Sequence, residues 1–464
     1  MDDKNRHLSE DEILNITRKA MNKTFGMFGL EITQKIGKGG LGTVVEEYIF
    51  QYKANSDANP DFIDAQIELK VTPVKQNKDG TFSSKERLVL NMINYMEEAD
   101  ATFETSSFYH KNKRLLIWFY LYSKGKHPSE FLITNYTLFE FEHSLYYSII
   151  KRDWKFIHSK IIKGEAHLIS ESDTTFLAAC TKGANSSILT HQPFSSTLAK
   201  PRAYSFKSSF MTRMYREIIH AVSPYVSFIS DEEWMNNPLE EVYKEKLSIY
   251  HGLTIRELKN KLHVSYEGKD ITFKLVQRML GLTGKQTQTQ EMKDASIKLK
   301  TIRLTQSGTP KESMSFPAFE FEELMIKKWE ESDLREMFVD WKFMFVIFKC
   351  NVIGEYYFDC IKFWNVPNSL VDGPIKDLYL RCVKIVSSGN IIKTIDSKGH
   401  FIDNFPKESK KSGGNGICHV RPHGRNANDT FNLPVADKLT GLTTYPKQCF
   451  WFNKMFIKSL LKKL

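Results

Sequence analysis

Residues 60–70 have the sequence Pro-Asp-Phe-Ile-Asp-Ala-Gln-Ile-Glu-Leu-Lys, and their pattern indicates both a local fold and a chemistry. Polar and apolar residues alternate over residues 66–71, which predicts a β-strand with Glu68 and Lys70 on one face. On such a strand the two side chains lie about 6 to 7 Å apart. Asp61 precedes the strand. Two acids and a lysine in this arrangement can form a magnesium-dependent phosphodiesterase centre.

The length and composition predict a soluble globular protein. The chain has 464 residues, of which 41% are hydrophobic and 13% aromatic, enough for two or three domains. The longest apolar runs, residues 115–122 and 343–348, are shorter than the ~20 residues of a membrane-spanning helix. No apolar signal region follows residues 1–6, so we expect a cytoplasmic protein without a membrane partner.

The charge balance favours a polyanionic partner. The formal net charge is +10 and the isoelectric point is about 9.0. Phosphates attract lysine and arginine and release counterions on binding, so a nucleic acid is a natural candidate. A basic protein with no such partner is equally compatible with the charge alone, and the motifs have to decide between the two.

The cysteines give little support to a metal or disulfide framework. Six cysteines lie far apart without a CxxC pair, which argues against a zinc ribbon and against a disulfide scaffold. One alternative is a metal cluster built from Cys418, His419 and His423, although no second half of such a site is visible. We interpret the cysteines as buried or incidental thiols.

Two signals upstream of the predicted strand indicate helices. Ser9 followed by Glu12 forms a capping box before apolar residues at helical spacing, which predicts an amino-terminal helix. Residues 36–42 form a glycine-rich turn that lacks the closing Gly-Lys-Ser/Thr of a phosphate-binding loop. We interpret this turn as the start of a helix that carries Glu46 towards the two acids of the opening segment.

An internal duplication is the strongest organisational signal. The pattern of residues 67–72 returns as Ile-Lys-Leu-Lys-Thr-Ile at residues 297–302, with lysine in place of the glutamate. Further matched segments follow in the same order in both halves: 84–87 with 310–313, 153–164 with 377–389, and 204–210 with 450–456. Their shared order predicts two similar domains.

The boundary between these domains is expected where Pro224, Pro238 and an acidic run at residues 231–233 interrupt the apolar periodicity. The predicted division is a first domain at residues 1–225, a linker at 226–240 and a second domain at 241–464. Strands such as 114–122 and 343–349 alternate with helical segments. This alternation predicts an α/β fold with a mixed sheet flanked by helices in each domain.

The acids of the first half suit a magnesium centre. Phosphodiester hydrolysis needs a positioned water, neutralisation of charge on phosphorus and help for the leaving oxygen. We therefore assign Asp61 and Glu68 as ligands of Mg²⁺, and Glu46 as a nearby carboxylate that completes the shell or holds water. Lys70 would orient the attacking water or help to deprotonate it. Asp64 is a weaker candidate, and the alternative for the whole set is an ordinary charged strand edge.

Six segments distributed over the chain carry a family resemblance: residues 67–73, 103–114, 180–185, 201–207, 311–316 and 418–423. Together they resemble the MutH family. That family contains the mismatch-repair endonuclease that nicks at GATC, and type II restriction enzymes with a double MutH-like architecture that cut GATC. The resemblance implies two tandem restriction-endonuclease-like domains, of which the first is catalytic.

The resemblance also implies roles for individual residues. It implies an active site of five residues: Asp61, Glu68, Lys70, Glu46 and Lys111. It implies DNA contacts by five more: Lys182, Gly183, Asn185, Arg202 and Lys207. Their residue types suit contacts with guanine, adenine or phosphate. Where the mismatch-repair branch carries a tyrosine linked to adenine methylation, this chain has Ser205, so the methylation preference stays open.

The acids are replaced in the second half. Glu291 stands at the position of Asp61, Lys298 replaces Glu68, and the helix expected at residues 273–280 has no matching acid. One carboxylate among lysines is a poor magnesium site. Four basic residues of this half are nevertheless expected to contact DNA: His419, Arg421, His423 and Arg425. We therefore predict that the second domain binds a second GATC copy and stimulates the first, as the resemblance implies.

These inferences lead to one main hypothesis and two alternatives. The main hypothesis is a type II restriction endonuclease that cuts both strands of duplex DNA at 5′-GATC-3′ with Mg²⁺, leaving 5′-phosphates and four-base 5′ overhangs. We expect a monomer in solution that can dimerise or loop on two DNA sites. The alternatives are a mismatch-repair nickase and a non-catalytic DNA-binding regulator whose acids are structural.

Overall fold

A computed structural model describes residues 3–31, 40–54, 58–182, 188–284, 286–409 and 414–464. The chain divides into two compact units. The first unit consists of Met1–Pro238 and Thr289–Ser296, and the second of Leu239–Gln288 and Ile297–Leu464. The polypeptide therefore leaves the first unit at Pro238 and returns to it for one short segment.

The described residues contain β-strands and helices in alternation. The strands are β1 Glu68–Gln76, β2 Phe82–Ser84, β3 Leu88–Met92, β4 Arg114–Leu121, β5 Leu132–Glu140, β6 Leu177–Thr181, β7 Thr190–Gln192, β8 Ser195–Ala199, β9 Arg202–Phe206, β10 Ile297–Leu304, β11 Met314–Phe319, β12 Lys342–Cys350, β13 Tyr356–Asn365, β14 Ile392–Ile395, β15 Phe401–Asp403, β16 Cys418–Pro422, β17 Thr430–Asn432, β18 Thr444–Pro446 and β19 Gln448–Phe452. The α-helices are α1 Glu10–Ala20, α2 Gly40–Val44, α3 Tyr95–Glu98, α4 Ser107–Asn112, α5 Tyr147–Ile162, α6 Ser208–Ile218, α7 Asp231–Asn236, α8 Leu239–Ser248, α9 Ile255–Lys261, α10 Ile271–Met279, α11 Gln290–Asp294, α12 Phe321–Ile326, α13 Asp333–Asp340, α14 Asn368–Leu370, α15 Lys376–Ser387 and α16 Lys454–Leu461. π-Helical turns at Val45–Ile49 and Val371–Ile375 continue α2 and α14.

The first unit is built on two main sheets. One has the strand order β2-β1-β4-β5, with β1 and β4 parallel and the other pairs antiparallel. The other has the order β3-β9-β6 and is antiparallel. Strand β4 lies inside its sheet because residues 115–119 are Leu-Leu-Ile-Trp-Phe and all are fully buried. Such a continuous apolar run is typical of a strand covered on both faces.

The second unit repeats this arrangement. Strand β10 pairs in parallel with β12, and β12 pairs antiparallel with β13. Strands β11, β19 and β16 form a separate antiparallel sheet in that order. The register also corresponds, because Lys298 lies opposite Phe343 on β12 as Glu68 lies opposite Leu115 on β4. The duplication read from the sequence is therefore visible in the topology.

A backbone detail supports the same correspondence. Gln66 and Ser296 stand two residues before Glu68 and Lys298, and their φ angles are 53° and 54°. A positive φ is uncommon for residues other than glycine and is maintained by the surrounding structure. The predicted α/β class, with a mixed sheet and flanking helices in each half, is confirmed.

The segment predicted to be a linker is folded. Residues 226–240 contain α7, which has the N-cap Ser230 and a capping box with Glu233. Trp234 on this helix is 1% exposed, and its ring centroid lies 5.3 Å from that of Phe176. The acidic run that suggested a linker is the first turn of a capped helix, where acids are favoured. The first unit therefore extends through α7.

Helix α11 also departs from the predicted division. It belongs to the first unit although it stands in the second half of the sequence. Its Asp294 is fully buried and accepts hydrogen bonds from Arg213 and Arg216 of α6, each at 3.1 Å. Gln290 donates to the same carboxylate at 2.6 Å. A buried acid held by two guanidinium groups fixes this segment in the first unit.

The predicted amino-terminal helix is present as α1. Ser9 is its N-cap, and the Ser9 and Glu12 side chains each bond the other residue's backbone N–H in a capping box. Ile13, Thr17 and Ala20 form the buried face at helical spacing. The local signal in the sequence was therefore sufficient to place this helix.

The structure bears on the predicted exclusions. Within the described residues, no helix is long and apolar enough to cross a bilayer. The six cysteines are all free thiols. In the same part of the chain, no group of three histidine, cysteine, aspartate or glutamate side chains is gathered closely enough to hold a metal ion. Cys418, His419 and His423, the residues of the alternative cluster, are not gathered in this way.

Candidate active site

Strand β1 carries the predicted charged pair. Glu68 is its first residue and is 2% exposed. Lys70 follows two residues later, and its Nζ lies 2.5 Å from Oε1 of Glu68. Because β1 and β4 run in parallel, Glu68 lies at the edge where both strands begin. The predicted alternation places the acid and the lysine on one face, but their opposite charges bring the two side-chain ends into direct contact, closer than the ~6 to 7 Å spacing of the strand positions.

Asp61 is locked to Glu68 through reciprocal backbone contacts. Oδ2 of Asp61 accepts a hydrogen bond from the N–H of Leu69 at 2.9 Å. The N–H of Asp61 donates to Oε2 of Glu68 at 3.2 Å. A short antiparallel bridge between Phe62 and Ile67 closes the intervening loop. The loop geometry therefore places both carboxylates in one pocket.

Arg6 fixes this loop from a distant part of the chain. Its guanidinium donates to the carbonyl oxygens of Pro60 at 3.3 Å and Asp61 at 3.1 Å. Its own carbonyl oxygen accepts a hydrogen bond from the N–H of Ile63 at 2.7 Å. Arg6 is buried, and no local pattern in the sequence marks it. It is a positioning residue that the sequence analysis missed.

Glu46 reaches the site from the π-helical turn that follows α2. The helix predicted after the glycine-rich turn is therefore present, although residues 36–39 of that turn lie outside the described residues. The Glu46 carboxyl group feels the negative charges of Asp61 and Glu68 and the positive charge of Lys70. The structure thus brings Glu46 near the same pocket, as predicted.

Burial raises the pKa values of two acids in the pocket. Burial, together with the negative charge of Asp61, raises the pKa of Glu46 to about 7. It also raises the pKa of Glu68 to about 7, against the lowering effect of Lys70. Carboxyl groups that hold their protons near neutral pH are strongly perturbed, and such groups are concentrated at functional sites.

Lys70 is positively charged in this arrangement. Burial lowers the pKa of its ammonium group, but the carboxylates of Glu68 and Asp61 outweigh burial and raise the pKa above its ordinary value of 10.5. A charged lysine can orient a water molecule and stabilise negative charge, but it is poorly suited to accept a proton. The geometry favours the orienting role over the deprotonating role, both of which the sequence allowed.

Lys111 is the second lysine of the pocket. It lies near the end of α4, whose N-cap Ser106 accepts a hydrogen bond from the N–H of Tyr109 at 3.1 Å. Its Nζ is 3.8 Å from Oε1 of Glu68. Asp64, by contrast, is exposed and its carboxylate lies 2.8 Å from Nδ1 of a histidine, outside this pocket. Asp61, Glu68, Lys70 and Lys111 therefore lie together, Glu46 is within electrostatic reach of them, and Asp64 is not part of the group.

The donor set of the pocket fits a divalent cation. Asp61 and Glu68 present adjoining carboxylates whose mutual repulsion a cation would offset. No third acid, histidine or cysteine among the described residues joins them closely enough to complete a cage. This suits Mg²⁺, which is commonly bound by one or two carboxylates and keeps several waters. Asp61 and Glu68 would hold the ion, with Glu46 alongside.

The structure corrects two predicted DNA contacts. Arg202 is 1% exposed, and its guanidinium donates to the carbonyl oxygens of Ala179 and Ile169. Lys207 is 2% exposed, and its Nζ donates to the carbonyl oxygen of Thr174 at 2.6 Å. Both cations are engaged with the protein's own backbone. We therefore remove them from the proposed DNA-contacting set.

The other predicted contacts of the first unit lie in and after β6. Lys182 directly follows β6, its backbone N–H donates to the carbonyl oxygen of Pro201 at 2.8 Å, and its side chain is partly exposed. It stays in the proposed DNA-contacting set. Gly183 and Asn185 lie outside the described residues. Ser205 is fully buried on β9, with its hydroxyl 3.4 Å from a carbonyl oxygen of β6.

Lysines occupy the corresponding positions in the second unit. Lys298 lies with its Nζ 4.6 Å from the ring centroid of Trp341. Lys300 matches Lys70, and its Nζ donates to the carbonyl oxygen of Ser315 at 2.7 Å. Burial lowers the pKa of Lys300 to about 8. Lys298 thus places a cation where the first unit has the acid Glu68, and Lys300 keeps the cation of Lys70.

Glu291, which aligns with Asp61, has a different environment. It is buried in α11 of the first unit, where it accepts hydrogen bonds from the hydroxyl of Ser227 and from the N–H of Phe228. Through these contacts Glu291 stabilises the fold of the first unit. The alignment with Asp61 did not predict this role. The return of α11 to the first unit depends on tertiary packing, which the aligned sequence does not show.

The predicted basic loop of the second unit is partly exposed. Arg421, His423 and Arg425 are exposed, whereas His419 is 2% exposed and its Nδ1 lies 2.6 Å from Oδ1 of an asparagine. The prediction of a direct DNA contact by His419 is therefore corrected. The ring of Trp451 lies 4.7 Å from the guanidinium of Arg421 and 5.2 Å from the His423 ring. Trp451 was not among the predicted DNA-contacting residues, although the duplication aligns it with Ser205 on β9.

The fold is of the restriction-endonuclease-like class, and the pocket on β1 is its candidate active site. The family model of the DNA mismatch repair enzyme MutH matches residues 50–153, which include Asp61, Glu68, Lys70 and Lys111. The chain is also 34% identical over 491 aligned residues to the type II restriction enzyme Sau3AI of Staphylococcus aureus, with 99% of each chain covered. It therefore belongs to the MutH-like family of type II restriction enzymes and is a site-specific deoxyribonuclease.

Membership of this family decides whether the protein is an enzyme or a non-catalytic DNA-binding regulator. A non-catalytic regulator is set aside, because the chain is an enzyme. The family model covers only part of the first unit, whereas the likeness to the restriction enzyme extends over both units. The second unit is therefore part of the shared architecture of these restriction enzymes.

Proposed function

We propose that the protein cuts both strands of duplex DNA at 5′-GATC-3′ in a Mg²⁺-dependent reaction that leaves 5′-phosphates and four-base 5′ overhangs. The contacts among Asp61, Glu68 and Lys70 support this most directly, because they combine metal ligands with a cation in one buried pocket. The recognition sequence GATC is supported by the resemblance to the MutH family, whose members named above act at GATC. The proposal includes a cytoplasmic location, where the DNA substrate would be met. It also includes a protein that is a monomer in solution and that dimerises or loops on two DNA sites.

Each side chain of the pocket has a distinct part in the proposed reaction. Asp61 and Glu68 would hold Mg²⁺, which supplies positive charge to the scissile phosphate and lowers the pKa of water. Lys70, charged and in contact with Glu68, orients the attacking water and stabilises negative charge on the phosphate. Lys111 binds a phosphate oxygen through a charge-assisted hydrogen bond. Glu46 holds a water molecule beside them.

We further propose that the second unit binds another GATC site and thereby stimulates the first. The exposed side chains of Arg421 and His423 contact the ring of Trp451, and the exposed Arg425 follows in the same loop, a combination that suits stacking on a base and contact with phosphates. These residues lie on β16 and β19 and in the loop after β16. The sheet β11-β19-β16 thus supplies a nucleic-acid surface without any catalytic acid.

A basic cavity accompanies this surface. It has a volume of about 450 Å³ and is lined by Lys300, Arg303 and Lys311, among other residues. Glu312 on the same wall pairs with Arg303 at 2.5 Å. Lysine and arginine bind DNA phosphates directly by charge, so this cavity can hold a phosphate without a metal ion. The second unit would therefore bind DNA and leave it uncut.

A plasmid with a single GATC site tests the proposed reaction. In Mg²⁺ it should be converted to linear DNA, and in EDTA it should stay intact. The linear ends should ligate to a duplex whose 5′-GATC overhang lacks a 5′-phosphate, because that ligation requires both the 5′-phosphate of the cut plasmid and the matching four bases. A matched plasmid with the site changed to GTTC is the control. Nicked circles as the final product would favour the mismatch-repair alternative, and cutting of the control would contradict the specificity.

The same assay tests the second unit. A plasmid with two GATC sites should be cut several times faster per site than the one-site plasmid. A short GATC duplex added in trans should accelerate cleavage of the one-site plasmid, whereas a GTTC duplex should not. Equal rates on both plasmids at every enzyme concentration, with no effect of the added duplex, would remove the proposed stimulation.

Replacing Lys300 by methionine should stabilise the second unit near neutral pH. The pKa of Lys300 is about 8 in the folded protein and 10.5 in the unfolded chain, so the buried charge destabilises the fold below pH 8. The penalty decreases as pH rises from 8 to 10.5, because the unfolded chain binds more protons in that window. At pH 7 the substitution removes the cost of the buried charge but also removes the hydrogen bond to Ser315. The net rise in the free energy of unfolding should be about 2 kcal/mol. Urea denaturation at pH 7 and pH 10 measures the difference.

The exposed lysine Lys393 on β14 gives a matched control for this prediction. Its replacement by methionine should leave the unfolding curve unchanged at both pH values. A loss of stability in Lys300→Met at pH 7 would show that the lysine is structural and would weaken its proposed part in phosphate binding.

A further inference from the structure

Tyr52 is buried between two segments that carry acids of the active site. It is fully buried, and its backbone N–H donates to the carbonyl oxygen of Glu46 at 3.0 Å. Its ring packs edge-to-face on Phe62, with centroids 5.7 Å apart and an interplanar angle of 81°. Phe62 directly follows Asp61 in the chain. The tyrosine is therefore held on one side by the segment of Glu46 and on the other by the loop of Asp61.

The hydroxyl group of Tyr52 has no hydrogen-bond partner among the described residues. A buried tyrosine hydroxyl normally bonds to a protein group, to water or to an ion, because an unsatisfied polar group costs free energy. Other buried tyrosines of the first unit follow this rule. The Tyr95 hydroxyl donates to the carbonyl oxygen of Lys200 at 2.7 Å, and that of Tyr204 donates to Glu98 at 2.7 Å. Tyr52 departs from the rule inside the active-site region.

The acids of the pocket act electrostatically on this hydroxyl. Burial raises the pKa of Tyr52 far above its ordinary value of 10, and the negative charges of Asp61, Glu46 and Glu68 raise it further. Arg6 acts in the opposite direction. The phenol is therefore neutral, so its oxygen can accept a hydrogen bond and its O–H can donate one. It lies within electrostatic reach of all three acids.

We propose that Tyr52 is a positioning residue of the magnesium centre, and that its hydroxyl oxygen accepts a hydrogen bond from a water molecule of the hydrated cation. This inference rests on the proposed Mg²⁺ dependence. A cation held by two carboxylates keeps several waters, and its charge makes those waters strong hydrogen-bond donors that need acceptors. Groups that bond to a metal's own ligands fix their orientation and tune its affinity. The phenol of Tyr52, which has no hydrogen-bond partner in the described part of the chain and lies within electrostatic reach of Asp61 and Glu46, meets this need.

An ordinary structural role for Tyr52 makes the opposite prediction about stability. If the hydroxyl served only the core, its removal would destabilise the protein whether or not Mg²⁺ is bound. If it serves the hydrated cation, it is an unsatisfied group in the metal-free protein, and its removal then costs nothing. Stability in EDTA and affinity for Mg²⁺ therefore separate the two roles.

Tyr52→Phe in the full chain is the test, because it removes the hydroxyl and keeps the ring that packs on Phe62. The midpoint of thermal unfolding in EDTA should be unchanged or higher. The dissociation constant for Mg²⁺, measured without DNA by calorimetry, should increase by about 10-fold. The rise in unfolding midpoint on addition of Mg²⁺ should be correspondingly smaller than in the wild type.

Tyr95→Phe is the matched control, because it removes a buried hydroxyl that is bonded to a carbonyl oxygen in the same unit. It should lower the unfolding midpoint equally with and without Mg²⁺ and leave the Mg²⁺ affinity unchanged. The two variants therefore change different quantities.

Three results would overturn the inference, and they are distinguishable. Tyr52→Phe that binds Mg²⁺ as tightly as the wild type would show that the hydroxyl does not serve the cation. Tyr52→Phe that unfolds earlier in EDTA, or does not fold at all, would show that the hydroxyl is structural. A wild-type protein that does not bind Mg²⁺ would contradict the proposed function. The proposed role of Tyr52, which depends on that function, would then be contradicted too.

Discussion

Replacing Lys70 by methionine should lower the rate of DNA cleavage by about 1000-fold while DNA binding is retained. Lys70 is the cation in direct contact with Glu68, in the pocket where the scissile phosphate is proposed to bind. Loss of one positioned group that stabilises transition-state charge typically costs about 100- to 1000-fold, and loss of a proton-handling or water-orienting group a similar factor. Single-turnover cleavage of a GATC duplex measures the rate, and fluorescence anisotropy in EDTA measures the binding.

The same substitution should leave the affinity for Mg²⁺ equal or higher. The Lys70 ammonium group lowers the pKa of Glu68 and competes with an incoming cation for the same carboxylate. In the variant, the remaining cation recorded near Glu68 is Lys111 at 3.8 Å. A loss of activity that more Mg²⁺ could restore would therefore contradict the proposed role, because Lys70 would then act only by assembling the metal site.

Lys75 provides the control for Lys70. It lies on the same strand β1, but its side chain is exposed, and it has no part in the pocket. Lys75→Met should cut DNA at the rate of the wild type. If Lys70→Met were to keep more than a tenth of the wild-type rate, the chemistry would have to lie outside the pocket of β1.

The active-site strand could be predicted because its information is local. Alternation of polar and apolar residues fixes which side chains share a face, and this alone brings Glu68 to Lys70. The duplication could be predicted for a similar reason, since matched segments in the same order specify matched strands. The catalytic role of the pair came from the family resemblance, because many charged strand edges share the same pattern.

The residues that complete the pocket could not be predicted in this way. Arg6 bonds to backbone groups 54 and 55 residues away, and Tyr52 meets Phe62 only because the intervening chain folds back. Contacts of this kind depend on tertiary packing, which leaves no periodic signal in the sequence. The folding of α7 and the return of α11 to the first unit were missed for the same reason.

The wrong assignment of Arg202 and Lys207 has a specific physical cause. The family resemblance placed both residues in the DNA-contacting set, and lysine and arginine are residue types that suit contacts with phosphate. In the structure β9 lies between β3 and β6, and every residue of the strand is buried. The resemblance carried over the residue types but not their burial, because in this chain Arg202 on β9 and Lys207 directly after it donate to backbone carbonyl oxygens.

Replacing Arg202 by methionine should therefore lower the free energy of unfolding by about 3 to 5 kcal/mol, because a hydrogen bond from a charged group contributes about 1.5 to 3 kcal/mol. The guanidinium donates to the carbonyl oxygens of Ala179 and Ile169, and methionine would leave both buried oxygens without this donor. At a temperature where the variant is folded, its affinity for GATC duplex should change less than threefold, and the dependence of binding on salt should stay the same. Urea denaturation and anisotropy titrations at several salt concentrations measure the two quantities.

Lys182→Met should show the reverse behaviour, and the contrast decides between a structural and a DNA-contacting role. Lys182 stands one residue beyond Thr181, the β6 partner of Arg202, and its side chain is partly exposed. Its replacement should leave stability within about 0.5 kcal/mol of the wild type, as is usual for surface sites. It should weaken DNA binding and reduce the slope of log affinity against log salt by about 1, as expected for one lost phosphate contact. A stable Arg202→Met variant with a reduced salt slope would instead restore Arg202 to the DNA-contacting set, because a cation buried against its own backbone cannot release counterions from DNA.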